Sequence, residues 1–134
     1  METQRFGRAW VALALALALH VADEAANDFL SVYNPSVRAI RERFPFLPLP
    51  EFTFTVWLGG LMLAVTLLLA LSPLAFRGVR WLRLFSVPYA VLMLFNGLGH
   101  IAGSVYFSRL MPGVYSAPLL LAASVYLLFS VKSA

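Results

Sequence analysis

The stretch Phe52–Phe76 carries no charged side chain over 25 positions, and it limits what this chain can become. A helix needs about 20 mostly apolar residues to cross the hydrocarbon core of a bilayer. Two further runs have the same character. Leu84–Ser108 covers 25 positions whose titratable side chains are His100 and two tyrosines, and Leu110–Val131 adds 22 positions. Composition agrees, with 61% of the 134 residues hydrophobic and 12% charged. A soluble domain has about half and about a quarter. The length suits a single domain over 1–134. Cysteine is absent, so there is no disulfide framework and no thiolate site. The net charge of +4 is scattered, and no basic run is long enough for a nucleic-acid groove.

The N-terminal segment is less direct. Ala9–Leu19 is apolar but only 11 residues long. Its Ala/Leu alternation has the period of a strand, yet both residues are apolar and strong helix formers. A secretory signal peptide is the rival reading, with Arg5 and Arg8 as its basic region. Cuts after Ala22, Ala25 or Ala26 would put His20, Asp23 or Glu24 where a small neutral residue is wanted, so an uncleaved helix is favoured. A helix from about residue 8 to 32 would be roughly 37 Å long, enough to span. The expected architecture is all-α: an integral membrane four-helix bundle with spans near 8–32, 52–74, 81–108 and 113–132. A short interfacial helix near 35–44 precedes a proline-rich return to the membrane, and Pro88 is expected to bend the third span. Arg38, Arg41 and Arg43 read as interfacial anchors rather than a phosphate site.

Two polar clusters interrupt this apolar background. His20, Asp23 and Glu24 stand at i, i+3 and i+4, with Asn27 and Asp28 following on the same helical face. In the third span, Asn96 and His100 stand at i and i+4, with Ser104 one turn further. By helical rise, His20 lies roughly 18 Å above Arg8, Asn96 roughly 20 Å above Arg83 and His100 roughly 26 Å above it. Spans one and three run in the same direction, so the clusters arrive at one depth and can face each other across a bundle. Gly99 and Gly103, with Ala22, Ala25 and Ala26, are small residues of the kind that let helices approach closely.

Each intramembrane carboxylate costs about 2.5–3.5 kcal/mol on insertion scales. No Lys or Arg lies at that depth to compensate. A divalent cation would engage carboxylates and imidazoles together, and two histidines with one to three carboxylates suit zinc, or non-haem iron as the second choice. The plainer alternative is a buried His–carboxylate network that fixes helix packing. The depth match favours metal or catalytic use.

"HVADE" followed downstream by "NGLGH" resembles the HxxEE family of small multi-span membrane proteins of uncharacterised function, whose pattern is H-x-x-E-E plus N-x-x-x-H. The matching positions are His20, Asp23, Glu24, Asn96 and His100, with Asp23 standing where the family has Glu. The resemblance supports a site, not a reaction. "HVADE" also resembles the inverted zincin pattern H-x-x-E-H. By that resemblance His20, Glu24 and His100 ligate zinc, Asp23 is the general base and Asn96 orients a ligand or stabilises an oxyanion. Asp28 is a further ligand candidate, which would make a carboxylate-rich iron site.

Two classes of function follow. One is a metal-dependent, zinc hydrolase-like membrane enzyme whose lipid or other apolar substrate arrives from the bilayer. The other is a non-catalytic membrane protein, a metal or proton carrier or a partner subunit. Below His20 the first span offers only Ala, Leu, Val and Trp10, so no polar relay crosses it, which disfavours transport. Membrane lipids are the expected surroundings and nucleic acid is not a partner. Basic residues flanking the spans number 6 on the side of the termini and 4 on the other. That places both termini in the cytoplasm, in the plasma (inner) membrane, with Trp10 and Trp81 at that interface. A C-terminal alkaline phosphatase fusion should therefore be inactive and a C-terminal fluorescent fusion bright; the reverse pair of signals reverses the topology.

Overall fold

A computed structural model describes residues 1–132, and those residues form an all-α fold of six helices. They are α1 (Glu2–Ala26), α2 (Leu30–Arg43), α3 (Phe54–Ala70), α4 (Ser72–Phe76), α5 (Arg80–Tyr106) and α6 (Ala117–Lys132). Three apolar stretches are long enough to cross a membrane: Glu2–Ala26, Phe54–Phe76 and Arg80–Tyr106. The second contains α3 and α4, which part at Leu71 where Ser72 and Pro73 follow; proline has no N–H to continue the ladder. The fourth apolar helix, α6, has 16 residues. α5 runs on through Pro88 without ending.

Burial sorts the helices. Half of the apolar window of α1 lies inside the protein, against 11% for Phe54–Phe76. α1 is therefore the core and α3 is its wall toward lipid. Phe6, Trp10, Leu13, Leu17 and Val21 recur at helical spacing and are all buried. The intervening Ala9, Ala14 and Ala16 are buried too, and they let α4 and α6 approach. At Gly7 the contact is closest: a Cβ there would stand 2.3 Å from a ring carbon of Phe76. Met62, Leu63 and Leu67 on α3 are more than half exposed, as expected of side chains that meet acyl chains.

Trp10 departs from expectation. It is fully buried between helices instead of marking an interface, and its indole N–H donates to the Leu68 carbonyl at 2.8 Å. Trp81 is about half exposed.

The first span also differs. Instead of one helix over 8–32, α1 starts at Glu2 and stops at Ala26. Asp28 takes a left-handed φ of 56°, and the Phe29 N–H reaches back to the Glu24 carbonyl at 3.0 Å. This is a Schellman-type stop, and Asn and Asp are the non-glycine residues that best tolerate that conformation. The Asn27 side chain reinforces it by donating to the Asp23 carbonyl at 2.9 Å. α5 ends in the same way, with Ser108 at φ 51° and the Arg109 N–H on the Ser104 carbonyl at 3.1 Å. The segment 107–116 is consequently free to fold across the bundle end, and the last helix starts at Ala117 instead of 113.

The interfacial helix is longer than expected, Leu30–Arg43 rather than 35–44. It is tied to the proline-rich return. Asn34 exchanges two hydrogen bonds with the backbone of Phe52, at 2.8 and 3.0 Å. Arg38 pairs with Glu51 at 2.6 Å and Arg41 pairs with its other oxygen. The Arg38 hydrogen bond holds the Glu51 carboxyl below its ordinary value.

Replacing Trp10 by Phe keeps the ring but orphans the Leu68 carbonyl. Unfolding in detergent, followed by circular dichroism, should show a loss of about 1–3 kcal/mol.

Candidate metal centre

The last two turns of α1 and the upper part of α5 bring His20, Glu24 and His100 together. One ligand atom from each lies within 4.8 Å of the others. His20 is fully buried and Glu24 is 5% exposed. Nε2 of His20 is 3.4 Å from Glu24 Oε1, and Nε2 of His100 is 3.0 Å from the same oxygen. The two rings meet edge to face, with centroids 4.6 Å apart. Because α1 ends at Ala26, the cluster sits near one end of the bundle, roofed by the 107–116 segment.

The opposite nitrogens show where the ring protons are. Nδ1 of His100 lies 2.6 Å from the Pro112 carbonyl, which can only accept, so this nitrogen carries hydrogen. Nδ1 of His20 lies 2.8 Å from Ser116 Oγ. That hydroxyl donates to Asp23 Oδ2 at 2.7 Å, so it accepts from His20. The order His20 Nδ1–H, Ser116 O–H, Asp23 carboxylate is thereby fixed. In the neutral rings both Nε2 atoms then present lone pairs toward Glu24 Oε1. His20 Nε2 is buried without a hydrogen-bond partner.

Three electron-pair donors directed at one another repel unless a cation or protons lie among them. Ligands about 2.0–2.2 Å from a tetrahedral zinc ion stand about 3.3 Å apart. The two separations from Glu24 Oε1, 3.0 and 3.4 Å, are close to that, while the group as a whole spans up to 4.8 Å, so the rings would draw in around an ion. Metal-ligating histidines characteristically give their other N–H to a carbonyl, carboxylate or similar acceptor. Both rings do so. The two imidazoles and one carboxylate are donors of the kind that could hold a divalent ion.

Other residues expected at the site are placed differently. Asp23 lies outside this group: its Oδ2 accepts from the Ser116 N–H at 2.9 Å and the Ser116 hydroxyl, and its Oδ1 accepts from Asn27 at 2.9 Å. It therefore reaches His20 only through Ser116, rather than standing within the group itself. Asp28 is exposed at the helix stop and does not join, because the helix that would have carried it inward has ended. Asn96 is next to the cluster, lining a cavity that contains His20 and Glu24 and another that contains His100.

Sequence reasoning missed Pro112, Gly113 and Ser116. Gly113 has φ +88°, and a Cβ there would lie 2.6 Å from Cε1 of His100 and 3.0 Å from Cε1 of His20. The glycine lets the loop press on both rings. By contrast Gly99 meets nothing within 4 Å and Gly103 only Met111, so this pair does not pack a neighbouring helix as expected. The close contact on α5 is at Gly97, where a Cβ would stand 3.0 Å from the Leu121 side chain.

A helical protein with three membrane-length apolar stretches and a buried His/Glu cluster is the class that fold and site define. The family model described as a protein of unknown function with HXXEE motif matches residues 10–127, and the chain belongs to that family. His20, Asp23 and Glu24 occupy the motif. A search of curated proteins and a search of solved structures each returned no match.

The two glycines make a matched test. Gly113→Ala should lower stability in detergent by about 1–3 kcal/mol, from backbone strain and ring collision together. Gly99→Ala should stay within about 0.5 kcal/mol of wild type.

Proposed function

We propose that His20, Glu24 and His100 hold a divalent metal ion, zinc in preference to non-haem iron, and that the protein uses it to hydrolyse a lipid or similarly apolar substrate. The observation that carries this reading is the hydrogen-bond pattern: both Nδ1 atoms face oxygen partners, which leaves two Nε2 atoms and a carboxylate oxygen gathered within 4.8 Å. Zinc is preferred because Asp28 is exposed at the helix stop and Asp23 is engaged by Ser116 and Asn27, which leaves one carboxylate and not the carboxylate-rich set expected of an iron site.

An ion in that place supplies Lewis acidity toward a substrate carbonyl. The remaining contributions come from the chain. Ser116, backed by Asp23, and the Pro112 carbonyl hold the two rings in the tautomer that binds metal. The Asn96 amide, beside both cavities, is placed to donate to an oxygen that gains negative charge. Apolar walls exclude water from all but the reacting end. A location in the inner membrane with both termini cytoplasmic fits the basic residues at the ends of α1, α4 and α5.

Metal analysis of detergent-purified protein should find about one zinc per chain. His20→Ala, His100→Ala and Glu24→Gln should each lose it, since even residues outside the ligand shell typically contribute 10–100-fold in affinity. Ser116→Ala and Asp23→Asn should weaken metal binding within that range without abolishing it. Wild-type protein that is folded yet binds neither zinc nor iron would sink the proposal.

A further inference from the structure

Two cavities meet at the cluster, and Asn96 is common to both. The first, about 440 Å³, has His20, Glu24 and Asn96 at one end and Leu17, Leu68 and Met93 along its length. It lies between α1, α3 and α5. α3 and α5 make no extended contact with each other, and Leu67 and Phe85 on its rim are 56% and 46% exposed. The cavity therefore opens sideways, toward lipid. From Asn96 to Phe85 it follows α5 for roughly 16 Å, which an extended chain of about a dozen carbons fills. The second cavity, about 370 Å³, lies between α2 and α5 and includes His100. Phe29, Phe95 and Phe107 wall it, and Gly99 with Gly103 leaves its floor open. The glycine pair that packs no helix thus has a use: it clears space beside His100.

We propose that the substrate is an ester divided between these cavities, with a linear acyl chain of medium length in the α3–α5 cleft and a compact alcohol with an aromatic or apolar face in the α2–α5 pocket. This rests on the hydrolase reading above and names its substrate class. The carbonyl lies at the junction, beside Asn96 and the cluster. Hydrolysis there adds the oxygen of one water to the acyl carbon and breaks the acyl–oxygen bond. The acid stays in the cleft, and a water proton goes to the departing alcohol. Both ends of the substrate are apolar, as the walls require, and only the bond to be cut is polar.

Binding can be tested apart from turnover. Dodecanoic acid carrying a terminal diazirine is photolysed with the full-length protein in detergent, and the crosslinks are mapped by mass spectrometry. They should fall on the cleft residues remote from the cluster, Leu67, Leu68 and Phe85. Ala64→Trp and Leu61→Trp, both of which fill the cleft, should each reduce labelling at least tenfold with metal content unchanged. Dodecyl 4-nitrophenyl ether, which cannot be hydrolysed, should compete with the labelling. Gly99→Phe should weaken that competition about tenfold while leaving labelling by the acid intact. Labelling spread over the lipid face of α3 and indifferent to both tryptophans overturns the acyl cleft. Equal competition in Gly99→Phe overturns the alcohol pocket. Crosslinks and competition as expected, with no release of 4-nitrophenol from 4-nitrophenyl dodecanoate by metal-loaded wild type, support the two cavities and overturn the hydrolase reading alone.

Discussion

The Nδ1 atoms of His20 and His100 are turned away from Glu24 toward oxygen partners, and much of the structure serves to keep them there. His100 is held by a backbone carbonyl, which cannot change its role, and His20 by a hydroxyl whose own proton is claimed by Asp23. Both acceptors lie in the segment 107–116. That segment reaches the rings because α1 and α5 stop at Asp28 and Ser108, two non-glycine residues with positive φ. It fits against the rings because position 113 has no side chain. Each of these features would be a local oddity alone. Together they hold two imidazoles in one tautomer.

The same dependence explains which parts could be read from the sequence. His20 and Glu24 are one helical turn apart on a single helix, and His100 lies at a matching height on a parallel one; spacing and rise were enough to pair them. Helix ends were harder. Asn27 and Asp28 extend the polar face of His20, Asp23 and Glu24 at helical spacing, so continuation and termination share the same residues. Only the closing hydrogen bond from Phe29 to Glu24 separates the two outcomes. Reading a continuous helix carried Asp28 toward the site and hid the roofing loop, and Ser116 and Pro112 with it. A hydroxyl and a backbone carbonyl have no signature in sequence, since their role arises from where a loop lands. The small residues misled in a related way: Gly99 and Gly103 match a packing motif, but the helix they would have received is absent, and Gly97 on another face of α5 meets α6 instead.

The N-terminal segment shows how composition and burial separate. Its Ala/Leu run could serve as a signal peptide's apolar core or as a membrane helix exposed to lipid. In the fold it is not a lipid-facing wall, since half of its apolar window is buried. It is the helix that α3, α4 and α6 pack against, because its alanines permit close approach while Phe6, Trp10 and Leu13 fill the space between. Phe54–Phe76 is the more hydrophobic stretch and is the less buried. In water that order would be reversed. In lipid the most apolar surface gains little from burial, and packing quality decides which helix lies at the centre.

Packing does not account for Glu24. It is a carboxylate only 5% exposed, and a buried charge is costly unless it is paired. Glu24 also stands in the last turn of α1, where the negative end of the helix dipole typically adds about 0.3–1 kcal/mol against a negative charge. An Asp or Glu kept only for structure is better placed near a helix N-terminus, or beside an arginine as Glu51 is. Its nearest polar neighbours are two imidazoles whose outer protons are already committed. One doubly protonated ring would neutralise the carboxylate, but the Nε2 lone pair of the other ring would then face Glu24 with neither a proton nor an ion between them. A divalent cation uses all three groups at once and is favoured by the same helix dipole that opposes the bare carboxylate. The electrostatics that make Glu24 costly without an ion are those that would retain one.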